Sequence, residues 1–175
     1  MIGELPATVF PAAAILLSTT VAVVLASWSI RAQRKIARQR AAMDFLAKSD
    51  QDGDLIKARQ KFIQLARDKD GLLPWADIRC EGTIETEAVR TTLNDLELLA
   101  IGISNDIIDR AIVVAHREDM ILSYFEAAQP FMAEVEGRQP GSLQLYPQFS
   151  ELYRSVRAEN NLRRLWHRGT ATSTP

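Results

Sequence analysis

The sequence predicts an all-α protein: one N-terminal transmembrane helix over residues 9–30, followed by a cytoplasmic bundle of four or five helices. Three observations predict this class. An uncharged run of nineteen residues, Ala12 to Ile30, ends at a cluster of cations. Beyond it, apolar residues recur at three- and four-residue spacing, the period of an amphipathic helix. No stretch alternates in the two-residue period of a half-buried strand.

The first element reads AAAILLSTTVAVVLASWSI, with Val9 and Phe10 extending it upstream. A helix of about twenty such residues, rising 1.5 Å each, spans the roughly 30 Å hydrocarbon core of a bilayer. Its aliphatic residues favour insertion by roughly 2 to 5 kcal/mol in total. Its serines and threonines oppose this, although in a helix they can bond back to a carbonyl one turn earlier. A cleaved signal peptide carries its positive charge ahead of the apolar region, but MIGELP carries only Glu4 and the start amine. The charge follows instead: Arg31, Arg34, Lys35, Arg38 and Arg40 precede the first acidic residue, Asp44. That order predicts a single-pass protein of the inner or plasma membrane, N-terminus outside and C-terminal domain cytoplasmic. Trp28 and the five cations would sit at the inner interface, with the cations on anionic headgroups. Ala14, Ser18, Ala22 and Ala26 recur every four residues, a small-residue stripe on which two spans can approach. The lone Cys80 fits a reducing compartment.

Residues 1–8 are then a short extracytoplasmic N-terminus, and 31–48 a basic juxtamembrane helix continuing the span. KSDQDGDL at Lys48 to Leu55 breaks that helix. Asp50, Asp52 and Asp54 match the first, third and fifth ligands of a calcium loop, but Leu55, Lys57 and Lys61 occupy the decisive sixth, eighth and twelfth positions. The aspartates are read as a turn and helix N-terminus, with Asp54 at or near the cap. The next helix carries Leu55, Ala58, Phe62, Leu65 and Ala66 on one face, with Lys57, Arg59, Lys61 and Arg67 largely off it. DKDGLLPW and RCEG are loops. Thr83 with Glu85 and Glu87 opens a helix bearing Val89, Leu93, Leu96 and Leu99 or Ala100, expected to end near Gly102. Ser104 or Asn105 is expected to cap the next helix, with Ile108, Ala111, Ile112, Ala115, Leu122 and Phe125 inward. Pro130 predicts a kink around Ala127 to Gln129. EGRQPGSLQLYP is a loop, and Pro147 introduces a final helix with Phe149, Leu152, Tyr153 and Val156. The cytoplasmic helical domain is placed at 49–160. Residues 161–175 form a basic, then disordered tail, in which LRRLWHR can touch a membrane surface or pack on the domain.

The net charge is only −1, but it is segregated. Between Asp77 and Glu136, thirteen acidic residues stand against Arg79, Arg90, Arg110 and Arg117. Such a surface keeps a domain soluble and off an anionic leaflet; it can also receive a basic partner. Nucleic acid is not expected, because the basic stretch lies within two turns of the bilayer. Neither is catalysis. HRED at His116 to Asp119 lacks the order and the companion motifs of a kinase catalytic loop, and His116 is read as a core-edge residue. Cys80 and His167 have no companions at metal-ligand spacing, and no glycine loop cradles phosphate. No catalytic, cofactor or metal residue is therefore assigned.

LNDLELLAIGI at Leu93 to Ile103, with SYFEAAQPFMAEVEGR, LIKARQKFIQLAR and YPQFSELY, resembles a family of uncharacterised bacterial membrane proteins. The resemblance covers most of Leu55 to Val156. It implies an anchored span with a cytoplasmic helical domain of unknown function, and no catalytic residue. The expected role is binding, to another protein or to itself as a homo-oligomer. Trp75, Tyr124 and Tyr146 are aromatic anchors if exposed, and the pair of helices over Leu93 to Phe131 is the docking scaffold. The alternatives are a membrane-proximal enzyme that pairs carboxylates among Asp106, Asp109, Glu118 and Asp119, and a phage-type lysis protein, against which the size of the folded domain argues.

Overall fold

The computed structural model describes the backbone of residues 9–138 and 144–171, and the side chains of 18–138 and 144–165. It is all-α, with five helices and no strand among the described residues. These are α1 (Val9–Gln51), α2 (Gly53–Arg67), α3 (Ile84–Ser104), α4 (Arg110–Gly137) and α5 (Pro147–Ala171), with short 3-10 turns at Leu73–Ala76 and Ile78–Cys80. The chain divides into two units, residues 1–38 and 39–175. The division falls earlier than the expected boundary at residue 49, so the last three turns of α1 belong with the helical domain.

In the first unit, every residue from Ser18 to Ala37 is exposed. The run includes Val21, Val23, Val24, Leu25, Trp28 and Ile30. The transmembrane span expected over residues 9–30 does not emerge from the described residues. Among them, no helix is long and apolar enough to cross a membrane. Helix α1 itself runs 43 residues from Val9, and the part of the expected span with described side chains is Ser18 to Ile30. The remainder of the expected span, with Phe10 and Ala14, lies outside the residues whose side chains are described.

In the second unit, Asp52 alone separates α1 from α2. It is the N-cap of α2, accepting from the N–H groups of Asp54 (3.0 Å) and Leu55 (3.1 Å). The cap is therefore Asp52 rather than Asp54, which lies in the first turn and pairs with Lys57. Leu55, Ala58, Phe62 and Leu65 are buried as their spacing predicts. Around the two 3-10 turns, Leu72 and Ala76 are buried, and Thr86 Oγ1 donates to the Trp75 carbonyl at 3.0 Å. Thr83 caps α3, whose Val89, Leu93, Leu96, Leu99 and Ala100 are all buried.

Helix α3 does not stop at Gly102 but runs two residues further. The glycine serves close packing: a Cβ there would lie 2.5 Å from Ile108 Cδ1. Its carbonyl accepts from the N–H groups of Ile107 and Ile108, which folds the following loop back on the helix. Asp106 turns that loop with a positive φ of 60°, a conformation that aspartate tolerates better than most residues. The cap of α4 is consequently Asp109, not Ser104 or Asn105.

Starting later, α4 buries Val113, Val114, Ile121, Ala128, Phe131 and Met132, while the expected core residues Ala111 and Ala115 are exposed. The helix leaves helical dihedrals at Arg117 (φ −130°, ψ 20°) and not ahead of Pro130. Buried Ala128, Phe131 and Met132 hold the segment around Pro130 against the core, and Pro130 itself faces solvent. On α5, Phe149, Leu152 and Val156 are buried. Phe125 stacks on Tyr153 at 4.1 Å between ring centroids and meets Phe149 edge-on at 5.4 Å, joining α4 to α5. Helix α5 continues to Ala171, through residues expected to begin the disordered tail.

Candidate functional site

The most elaborate polar arrangement in the second unit joins α1, α2, α3 and α4. Arg59 of α2, expected on the outer face, turns inward and donates from Nη2 to Asp95 Oδ2 of α3 at 2.8 Å and to Ser49 Oγ of α1. Its Nη1 reaches Asp50 Oδ1 and the Ser49 carbonyl, both at 3.4 Å. Arg117 of α4 donates to the same Ser49 hydroxyl at 3.3 Å and to Asp50 Oδ1. His116 Nε2 lies 3.6 Å from Asp50 Oδ2. The His116 ring is exposed on α4 and does not sit at the core edge.

Burial decides the character of this cluster. The side chain of Arg117 is 4% exposed, Arg59 12% and Asp95 13%, whereas Asp50 is 49% exposed. Burial, and then the charge of Arg59, lower the pKa of Arg117; Asp50 and Asp95 oppose them. Arginine nevertheless stays cationic near neutral pH, so two guanidiniums are held against two carboxylates. Burial likewise raises the pKa of Tyr124, whose ring stacks on Phe62 at 4.8 Å. The three aspartates that suggested a calcium loop thus have separate tasks: Asp50 pairs with arginine, Asp52 caps α2 and Asp54 pairs with Lys57. Among the described residues, no group of three or more His, Cys, Asp or Glu side chains could hold a metal ion.

The acidic surface is largely engaged in internal pairs. Glu85 bonds Lys61, Glu81 bonds Arg90, Glu118 bonds Arg163, Glu126 bonds Arg157 and Glu134 bonds Arg138. Asp77 bonds Arg79, which holds its carboxyl well below the usual range. Asp109 and Glu97 cap helices. Asp119 lines an open cleft of about 390 Å³ with Ser123, Glu126, Arg157, Asn160 and Arg164, while Glu118 lines a different cleft beside Arg110 and Glu159.

The remaining sequence-predicted residues do not converge on one site. Trp28, Arg31, Arg34, Lys35 and Arg40 are exposed along α1, and Arg38 is half-buried. Ser18, Ala22 and Ala26 are exposed, and Ala14 lies outside the described side chains. Trp75, Tyr124 and Tyr146 are partly buried against the core. Leu162 and Leu165 are exposed on α5, with Trp166, His167 and Arg168 outside the described side chains. Sequence reasoning misses Arg59, Asp95 and Arg117 as a unit. Arg59 meets Asp95 across 36 positions and Arg117 meets Asp50 across 67, so no local spacing announces either pair.

A bundle of helices joined by a buried arginine network defines the class, an all-α helical domain. A family model described as a domain of unknown function (DUF4760) matches residues 16–156, and the chain belongs to that family. No curated protein and no solved structure matches the chain.

Proposed function

We propose that this protein is a single-pass membrane protein whose helical domain works at the cytoplasmic face by binding another protein or a second copy of itself. The observation that carries the reading is the exposed apolar surface of α1. Val21, Val23, Val24, Leu25, Trp28 and Ile30 lie on an uncharged, exposed segment immediately before Arg31, Arg34 and Lys35. A helix apolar all round requires cover, and a helix can enter lipid because its backbone groups are bonded internally. The cations after it favour the cytoplasmic side and anionic headgroups. Anchoring confines the domain to a thin layer, raising its effective concentration for a partner already there.

A binding role rather than catalysis is supported by two of the four carboxylates considered for chemistry. Asp109 caps α4 and Glu118 accepts from Asn160 and Arg163, so both have structural tasks. The test is alkaline carbonate extraction of membranes from cells making the full chain, combined with labelling of Cys80 by an impermeant maleimide. Retention in the membrane, with Cys80 labelled only after permeabilisation, is the expected result. Release into the supernatant would overturn the anchor, and labelling on intact cells would overturn the orientation.

A further inference from the structure

The continuous apolar core is supplied chiefly by α2 to α5, through Phe62, Leu93, Val113, Ile121, Phe131 and Phe149. Helix α1 adds Ala42, with Phe45 packed against it, and buries Leu46. Its last turn is held differently, by guanidiniums from two other helices. Arg59 and Arg117 both bond Ser49 and Asp50, and Arg59 is itself fixed to α3 by Asp95. Arg117 reaches this position from the one non-helical residue within α4.

We propose that this cluster is a latch: the segment of α1 from residue 41 to 50 detaches as a unit from a core of α2 to α5 that stays folded, and Asp50 is its releasing group. Asp50 suits that role because it is the half-exposed member, open to solvent and to competing charge, while its arginine partners are buried. The charged groups facing it are Arg59 from α2 and Arg117 and His116 from α4. The inference concerns residues within the second unit and does not depend on whether the N-terminal part of α1 enters a membrane.

Hydrogen exchange of the full chain in lipid nanodiscs tests it, comparing the unmodified protein with Asp50→Asn. Selective opening predicts exchange of amides 41–50 faster by about tenfold or more, with the buried amides of α3 and α5 unchanged. A uniform acceleration, or one smaller than this in residues 41–50, would overturn the latch. If Asp50→Asn does not fold, the comparison is made on the unmodified protein at low and high salt, which screens the half-exposed pair. The same selective loosening is expected there, and its absence overturns the proposal.

Discussion

Gly102 shows how a single missing methyl can fix a connection. A Cβ there would meet Ile108 Cδ1 at 2.5 Å and Cγ1 at 2.9 Å, but Ile108 Cβ only at 3.5 Å. Ile108 is buried and cannot swing freely away. Gly102→Ala should therefore destabilise the domain by about 1 to 3 kcal/mol through overpacking, less the roughly 0.5 to 1 kcal/mol that alanine returns inside a helix. In an Ile108→Ala background the clashing atoms are gone, and the same substitution should become neutral or stabilising. Urea denaturation of the four proteins reads this change of sign; an equal effect in both backgrounds would refute the packing argument. By sequence alone the glycine reads as a helix end, the commoner use of that residue at such a place.

Helix α5 begins with a cap borrowed from α3. Glu97 accepts from the N–H groups of Gln148 at 3.2 Å and Phe149 at 2.8 Å, donors that the first turn of a helix cannot satisfy internally. Glu97→Ala should cost about 0.5 to 2 kcal/mol, the usual range for a lost cap, and accelerate exchange at those two amides. Glu97→Gln, which keeps one carbonyl acceptor, should lie between Ala and the unmodified protein. This contrast separates what is legible in the sequence from what is not. Thr83 and the start of α5 at Pro147 are readable because their signals are local. Glu97 is not, because its partners lie 51 and 52 positions away. Periodicity places Arg59 outward because it ranks the residue by polarity without seeing Asp95. In the stretch after α3 the periodicity holds for Ile108, Ile112, Leu122 and Phe125, which are in or against the core, but not for Ala111 and Ala115, which are exposed near the later start at Asp109 and the departure at Arg117.

For the whole molecule, the division between Arg38 and Gln39 makes a direct prediction. Residues 39–175 expressed alone should unfold in one cooperative thermal transition, with a midpoint close to that of the same unit in the full chain. Differential scanning calorimetry would show a broad or missing transition if the core depended on residues 1–38. The single residue between α1 and α2 has another consequence. Asp52 keeps the end of α1 within one residue of the start of α2, so the two helices meet as arms of one hinge rather than as ends of a tether.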